Sequence, residues 1–309
     1  MLLLKQYLLR ERYGLNPVVT AVLTGNHGWA RDDRGLQLSA LLSSEDLPEH
    51  GAPPAIGSLT ADVLVEVSTM NPRTGQPALD HLRQALEAGM DVITANKGPI
   101  AYGFKELEAL AASHSGHLRF ESAVADDLPI FNLMRYNLPT AKVGLVRGIF
   151  NSTTNYLLSQ TARGVSWKEA LAEAQRLGIA ERDPSNDLEG WDAALKATIV
   201  ANVVMGLDVK VADVVREPIT EEVAVRAREA ARRGMRIRPL AAIGPFGTRW
   251  APVEVGPDDP FYAVDGFSMA IELDTDVAGK LTIALHHPRV EQTAFGLLSD
   301  LVDIETHRS

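Results

Sequence analysis

In the stretch "DLEGWDAALKATIVANVV" (residues 187–204), Asp192 and Lys196 lie four residues apart, which places both side chains on one helical face, a turn from each other. A lysine ammonium can give a proton to an oxygen that is gaining negative charge, and a carboxylate one turn away can orient it and keep it charged. The plainest alternative is a surface ion pair, worth roughly a few tenths of a kcal/mol. Two features speak against the surface. The residues flanking Lys196 at helical spacing, Ala193, Ile199 and Val200, are apolar, so its stripe is expected to be covered. Just upstream, "GIAERDPSNDLEGWD" gathers Glu181, Asp183, Asp187, Glu189 and Asp192. Burial lowers a lysine's pKa, which would let Lys196 hand over its proton near neutrality. One ammonium among several carboxylates suits a zwitterionic amino acid that carries a reacting oxygen.

Other chemistries are excluded by what the chain lacks. It has no cysteine, so disulfides, thiolate metal sites and cysteine nucleophiles are ruled out together, and a reducing, cytoplasmic setting is expected. A net charge of −10 argues against a nucleic-acid partner, because phosphate binding needs a basic footprint. The opening "MLLLKQYLLRERYG" is too short and too soon charged for a signal peptide or membrane span, and no membrane association is expected. His286 and His287 adjoin Pro288 with no further ligands at metal spacing, so they read as a loop.

These residues must be positioned by a two-part fold. In the first part, strand-like runs at 17–25, 61–68, 90–95 and 117–124 alternate with helical patterns at 77–89 and 103–116. That alternation implies an α/β domain with a parallel, two-sided sheet, whose ligand crevice lies at the carboxyl ends of the strands. The residues to inspect are therefore Ser68, Thr69, Asn96, Lys97 and the stretch 125–127. From about residue 140 the order changes: a strand, "AKVGLVRGIF", is followed by helices at 153–163, 166–177, 191–206 and 221–234. Four strands and a closing amphipathic helix then follow. The second part reads as α+β, with a mostly antiparallel or mixed sheet.

"GIFNSTTNYLL" (148–158) and "AQRLGIAERDPSNDLEGWDAALKATI" (174–199) together resemble the catalytic region of homoserine dehydrogenase. "DVITANKGPIA" (91–101), "YAVDGFSMAIELDTDVAGKLTI" (262–283) and "TAFGLLSDLV" (293–302) resemble further segments of that family, in the same order. The resemblance implies a Rossmann-type dinucleotide-binding domain over residues 1–125, rejoined by the helix at 288–309, and a catalytic and dimerisation domain over 126–287. It implies the reversible NAD(P)H-dependent reduction of L-aspartate 4-semialdehyde to L-homoserine, in threonine and methionine biosynthesis, by a homodimer. It assigns Lys196 as proton donor, and Glu181, Asp187 and Asp192 as substrate-binding acids, with Asp192 also orienting the lysine. It places Lys97 near both nicotinamide and substrate, and puts Ser68, Thr69, Asn96 and Gly178 at the cofactor. It sets Glu121, Val124, Asp126 and Leu128 around a monovalent cation such as sodium, held largely through backbone carbonyls.

Three departures stand on the cofactor side. The expected first strand and G-x-G-x-x-G loop are absent, the chain opening on a segment that resembles the helix after them. Either the start has been placed downstream of the true one, or the cofactor cradle is lost. Where the family pattern resembles Glu-Ala-Ser-Val-Gly-Gly-Gly-Ile-Pro, this chain has "ESAVADDLP" (121–129), and a glycine-rich loop near the C-terminus is replaced by "LHHPRV" (285–290). Thr24, Gly25, Asn26 and His27 follow the strand-like run with no carboxylate, and Arg31 and Arg34 lie just beyond. NADP(H) is thus expected over NAD(H), unless those arginines merely pair with Asp32 and Asp33. The other readings are a catalytically impaired relative that binds an amino-acid ligand or partner, and a dehydrogenase for another amino-acid semialdehyde.

Overall fold

The computed structural model describes residues 1–308. The chain divides into two compact units, one built from residues 1–120 with the stretch from 293 onward, the other from 121–292. The first boundary falls just before Glu121, a few residues ahead of the one after residue 125 that the resemblance implies. The cause is local: the Glu121 carboxylate accepts the backbone N–H groups of Phe131 and Asn132, tying residues 121–125 to the second unit.

In the first unit the elements are α1 (Leu2–Tyr13), β1 (Ala21–Leu23), β2 (Trp29–Arg31), the single turn α2 (Leu38–Leu41), β3 (Val63–Glu66), α3 (Ala78–Glu87), β4 (Asp91–Thr94), α4 (Lys97–Ser113) and β5 (Leu118–Arg119). Strands β3, β4 and β5 form a parallel sheet in that order, with Leu64 opposite Val92 and Val92 opposite Leu118. Every residue of β4 is buried, as expected for a central strand covered on both faces. Helix α3 turns Ala78, Leu82, Ala85 and Leu86 inward, the spacing of one apolar stripe.

Residues 17–25 do not join that sheet, contrary to the sequence pattern. Only Ala21–Leu23 is a strand, and it pairs antiparallel with Trp29–Arg31 across a tight turn closed by Thr24 N–H to the Gly28 carbonyl, 3.1 Å. In the usual doubly wound order, the first strand lies between the second and the fourth. No strand among the described residues fills that place, so β1 lacks a parallel neighbour and its amides are satisfied by β2. The run at 117–124 is also mostly not strand: two residues pair, and Glu121–Ala123 is a turn of 3-10 helix.

The second unit contains β6 (Val143–Ile149), α5 (Ser152–Ala162), α6 (Trp167–Arg176), α7 (Ser185–Leu188), α8 (Trp191–Val204), β7 (Val215–Arg216), α9 (Glu221–Arg232), β8 (Arg236–Gly244), β9 (Gly247–Val255), β10 (Met269–Thr275) and β11 (Gly279–Leu285). Its six-stranded sheet runs β11-β10-β6-β8-β9-β7, antiparallel except where β7 meets β9. Helix α8 packs on β8 and β9. Alanines 193, 194, 197 and 201 give it a surface that can approach closely, and with Leu195, Ile199 and Val200 they are buried. Its first turn can reach the sheet only because residue 190 is glycine: at φ 78°, a Cβ there would stand 2.3 Å from the Trp250 ring. The closing helix α10 (Val290–Thr306) brings Asp303 to Arg119 at 2.5 Å, and Arg308 beyond it reaches Asp91 at 2.7 Å. No helix among the described residues is long and apolar enough to cross a membrane.

Candidate active site

The second unit gathers an ammonium and its carboxylates at the start of α8. Lys196 Nζ lies 2.9 Å from Asp192 Oδ2 and donates to the Phe150 carbonyl at 2.6 Å, with only 13% of its side chain exposed. Phe150 comes directly after β6, so the lysine is held between its own helix and a strand end 46 residues away. Asn151 completes the frame. Its Oδ1 accepts from Thr154 N–H at 2.9 Å and caps α5, which leaves its Nδ2 to donate to Asp187 at 2.7 Å and Asp192 at 3.0 Å.

Electrostatics reverse one expectation. Burial alone pulls Lys196 down, but Asp192, by charge and hydrogen bond, with the charges of Asp126 and Asp187, together push it above the ordinary lysine value. The ammonium is therefore protonated across the neutral range, not poised to titrate within it. Asp187 moves up as well, because it is buried and faces Asp192. Glu181, expected beside these groups, is exposed; its backbone carbonyl accepts from Gln175 Nε2 at 3.1 Å. Gly178 is exposed at φ 72° with open space where a Cβ would stand, closing α6 in the left-handed turn that glycine favours.

The turn over residues 121–130 takes left-handed backbone without a glycine. Ala125 and Asp126 adopt φ 56° and 58°, the left-handed region. Leu128 N–H donates to the Ala125 carbonyl at 3.1 Å, and Val124 and Leu128 are fully buried. Burial raises Glu121 to about 7, and burial with the neighbouring Asp126 raises Asp127 to about 6. Two backbone N–H groups hold the Glu121 carboxylate, so its side chain serves the turn. No group of three His, Asp or Glu side chains able to hold a metal ion occurs among the described residues. His287, in the replaced C-terminal loop, is also left-handed at φ 52° and meets the Phe267 ring edge-on, centroids 5.0 Å apart.

In the first unit, Ser68, Thr69, Asn96 and Lys97 collect at the carboxyl ends of β3 and β4. Asn96 caps α4 by accepting from Gly98 N–H at 3.1 Å, and its Nδ2 donates to the Ser68 carbonyl at 3.2 Å. Lys97 is the first residue of α4, whose start lies six residues ahead of the apolar pattern. Ser68 and Thr69 are exposed and Lys97 is half-buried. Arg31 pairs with Asp33 at 2.9 Å and Arg34 with Asp32 at 3.3 Å, so both arginines are engaged within their own loop. Three groups escaped the sequence reading: Asn151, the Phe150 carbonyl and the buried Glu66. Only Asn151 left a signal, as a helix-capping residue ahead of "STTN".

Comparison with known proteins agrees over both units. Residues 129–302 match the homoserine dehydrogenase family model, and residues 11–121 match the model described as homoserine dehydrogenase, NAD binding domain. The chain is 37% identical over 250 residues to a homoserine dehydrogenase of Sulfurisphaera tokodaii, covering 80% of this chain and 78% of that one. It is 33% identical to that of Methanocaldococcus jannaschii over 97% of this chain and 92% of the relative. A crystal structure of a putative homoserine dehydrogenase from Archaeoglobus fulgidus superposes with a TM-score of 0.87 at 32% identity, covering 98% and 93%.

Proposed function

We propose, from the premise that this chain belongs to the homoserine dehydrogenase family, that Lys196 is the proton donor of the family reaction and that Asp192 and Asn151 hold it in place. The chain is an NAD(P)-dependent oxidoreductase acting on a CH–OH group. A bound nicotinamide supplies or accepts the hydride at the substrate carbon. Two of the Lys196 ammonium hydrogens face Asp192 and the Phe150 carbonyl, and the third goes to the carbonyl oxygen of aspartate 4-semialdehyde. An alkoxide is far more basic than an amine, so the transfer runs downhill even though Lys196 holds its proton tightly. Asp192 and the Phe150 carbonyl then keep the neutral amine aimed. The surplus carboxylates, Asp187 foremost, attract the substrate ammonium. The tether of Lys196 between Asp192 and Phe150 is the observation that carries this reading.

The exposed Ser68 and Thr69 and the half-buried Lys97 at the strand ends suit the nicotinamide end of the cofactor. No glycine-rich helix start for its pyrophosphate occurs among the described residues. NADP(H) is the preferred cofactor in this reading: the loop after β1 offers no carboxylate to a ribose hydroxyl, and a 2′-phosphate can draw Arg31 and Arg34 from Asp33 and Asp32. A monovalent cation at the carbonyls around Val124 and Leu128, a homodimer, and a cytoplasmic role in threonine and methionine biosynthesis complete the proposal. The test is a purified-chain assay of semialdehyde-dependent oxidation of NADPH and NADH between pH 6 and 9. Turnover with a lower KM for NADPH supports the reading. No turnover with either cofactor sinks it, and a tenfold preference for NADH overturns the cofactor assignment.

A further inference from the structure

Glu66 closes β3 and is buried, with 4% of its surface exposed. A carboxylate in such a place must be compensated, and here the compensation joins three elements. Ser68 N–H donates to its Oε1 at 2.9 Å, the Thr94 hydroxyl donates to its Oε2 at 3.1 Å, and His81 Nδ1 from α3 stands 3.9 Å from Oε1. Burial would push Glu66 up, yet the nearby His81 and the hydrogen bonds from Ser68 and Thr94 together hold it below the usual glutamate value. The bonding continues beyond the carboxylate. Thr94 Oγ1 accepts from Asn96 N–H at 2.9 Å, Asn96 Nδ2 donates to the Ser68 carbonyl at 3.2 Å, and Asn96 Oδ1 accepts from Gly98 N–H at 3.1 Å. The result is a closed ring of hydrogen bonds from the end of β3, through the end of β4, into the first turn of α4.

We propose that Glu66 is a positioning residue for the nicotinamide crevice: it locks the ends of β3 and β4 and the start of α4 into one frame, on which Ser68, Asn96 and Lys97 are carried. This rests on the cofactor role proposed above for Ser68 and Lys97. Glu66 itself takes no part in proton or hydride transfer. It acts by removing the freedom of two strand ends that would otherwise have to be ordered when cofactor binds. An effect confined to binding appears in KM, while kcat holds.

The test measures kcat and KM for NADPH, NADH and semialdehyde on the full chain carrying Glu66→Gln, Thr94→Val, Thr94→Ser or Arg83→Ala. Glu66→Gln removes the charge and one of the two acceptor oxygens, so the ring loses its acceptor for either Ser68 N–H or the Thr94 hydroxyl. The expected result is a cofactor KM raised about tenfold, the size of one lost hydrogen bond to a charged group, with kcat and semialdehyde KM within about twofold. Thr94→Val should show the same split, Thr94→Ser should restore it, and Arg83→Ala, which breaks only surface pairs such as that with Glu106, should leave all constants in place. If Glu66→Gln fails to fold, the Thr94 pair decides by the same criterion. A cofactor KM unchanged in the folded variants overturns the positioning role while leaving the proposed function standing. Loss of cofactor binding by the unaltered chain overturns both.

Discussion

The Lys196 cluster and the turn over residues 121–132 belong to the same unit, yet they meet the family pattern in opposite ways. At the cluster, side chains to which the resemblance gives roles, Asp187, Asp192 and Lys196, are joined with Asn151 through contacts of 2.7 to 3.0 Å. At the turn, identity has changed: Ala125 and Asp126 hold left-handed φ values, the region that glycine favours, where the resemblance places glycines. His287, in the replaced C-terminal loop, is also left-handed. The difference reflects the part that each region supplies. A proton donor is defined by its atoms, and no other side chain has a lysine's reach and donor geometry. A turn is defined by its dihedral angles, which an L-residue can adopt at a cost of roughly 1–2 kcal/mol.

The sharpest way to break this comparison is at Lys196. Lys196→Ala should lower kcat about 10²–10⁴-fold while leaving cofactor affinity in place. Lys196→Arg should fail almost as badly, because a guanidinium keeps its proton. Steady-state rates within about twofold of the unaltered chain in either variant would return Lys196 to the bland role of an ion-pair partner.

A second expectation concerns direction. In the proposed reaction run towards oxidation, the neutral Lys196 amine would be the base, and the carboxylates hold Lys196 above its ordinary value. The oxidation rate should therefore keep climbing with pH from neutrality through the alkaline range. Asp192→Asn removes the nearest charge and should move the bend to lower pH. A profile flat above about pH 8 in the unaltered chain would contradict the raised value.

The turn should show its own pH signature, in stability. Folded Glu121 titrates at about 7, against about 4.3 for an unfolded glutamate. Between these values the unfolded chain has released a proton that the folded chain retains. The contribution of Glu121 to stability is therefore full below about pH 4 and falls as pH rises to about 7, by on the order of 3 kcal/mol. Asp127, raised to about 6, acts in the same sense over a lower range. Urea midpoints across pH 4 to 8 read this directly, and Glu121→Gln should flatten the curve.

The smallest effect tests the cost of keeping the turn without glycine. Ala125→Gly removes a left-handed penalty and restores some unfolded-chain entropy, for a net gain of about 0.5–1 kcal/mol. Asp126→Gly should gain a similar amount. The pair will not add, since the residues are adjacent. Chemical denaturation gives the sign, and for Ala125→Gly turnover should stay within about twofold. A loss of stability in Ala125→Gly would mean that its side chain holds the turn through packing.

Much of the fold was legible because helices and strands announce themselves by period. The runs at 77–89, 166–177 and 221–234 became α3, α6 and α9, and those at 61–68 and 90–95 contain β3 and β4. The segment at 17–25 misled because a strand's partner is not written in its own residues: Val19 to Leu23 suits a sheet of either direction, and only the available neighbours decide. The start of α4 was missed for a different reason. Asn96-Lys97-Gly98-Pro99 has no apolar stripe, and the capping bond from Gly98 N–H is what sets the helix there.

For the site, the sequence alone determined the Asp192–Lys196 pairing, since a 3.6-residue period fixes which side chains share a face whatever surrounds them. It also determined that the helix carrying them is buried, because no polar face exists to turn outward. Only the tertiary structure decided that Asn151 joins Asp187 to Asp192 and that the Phe150 carbonyl takes the lysine's second hydrogen, contacts that span 36 to 46 residues of chain. It alone decided the sign of the Lys196 shift: burial and the surrounding carboxylates oppose each other, and their balance depends on how many charges the fold brings within range.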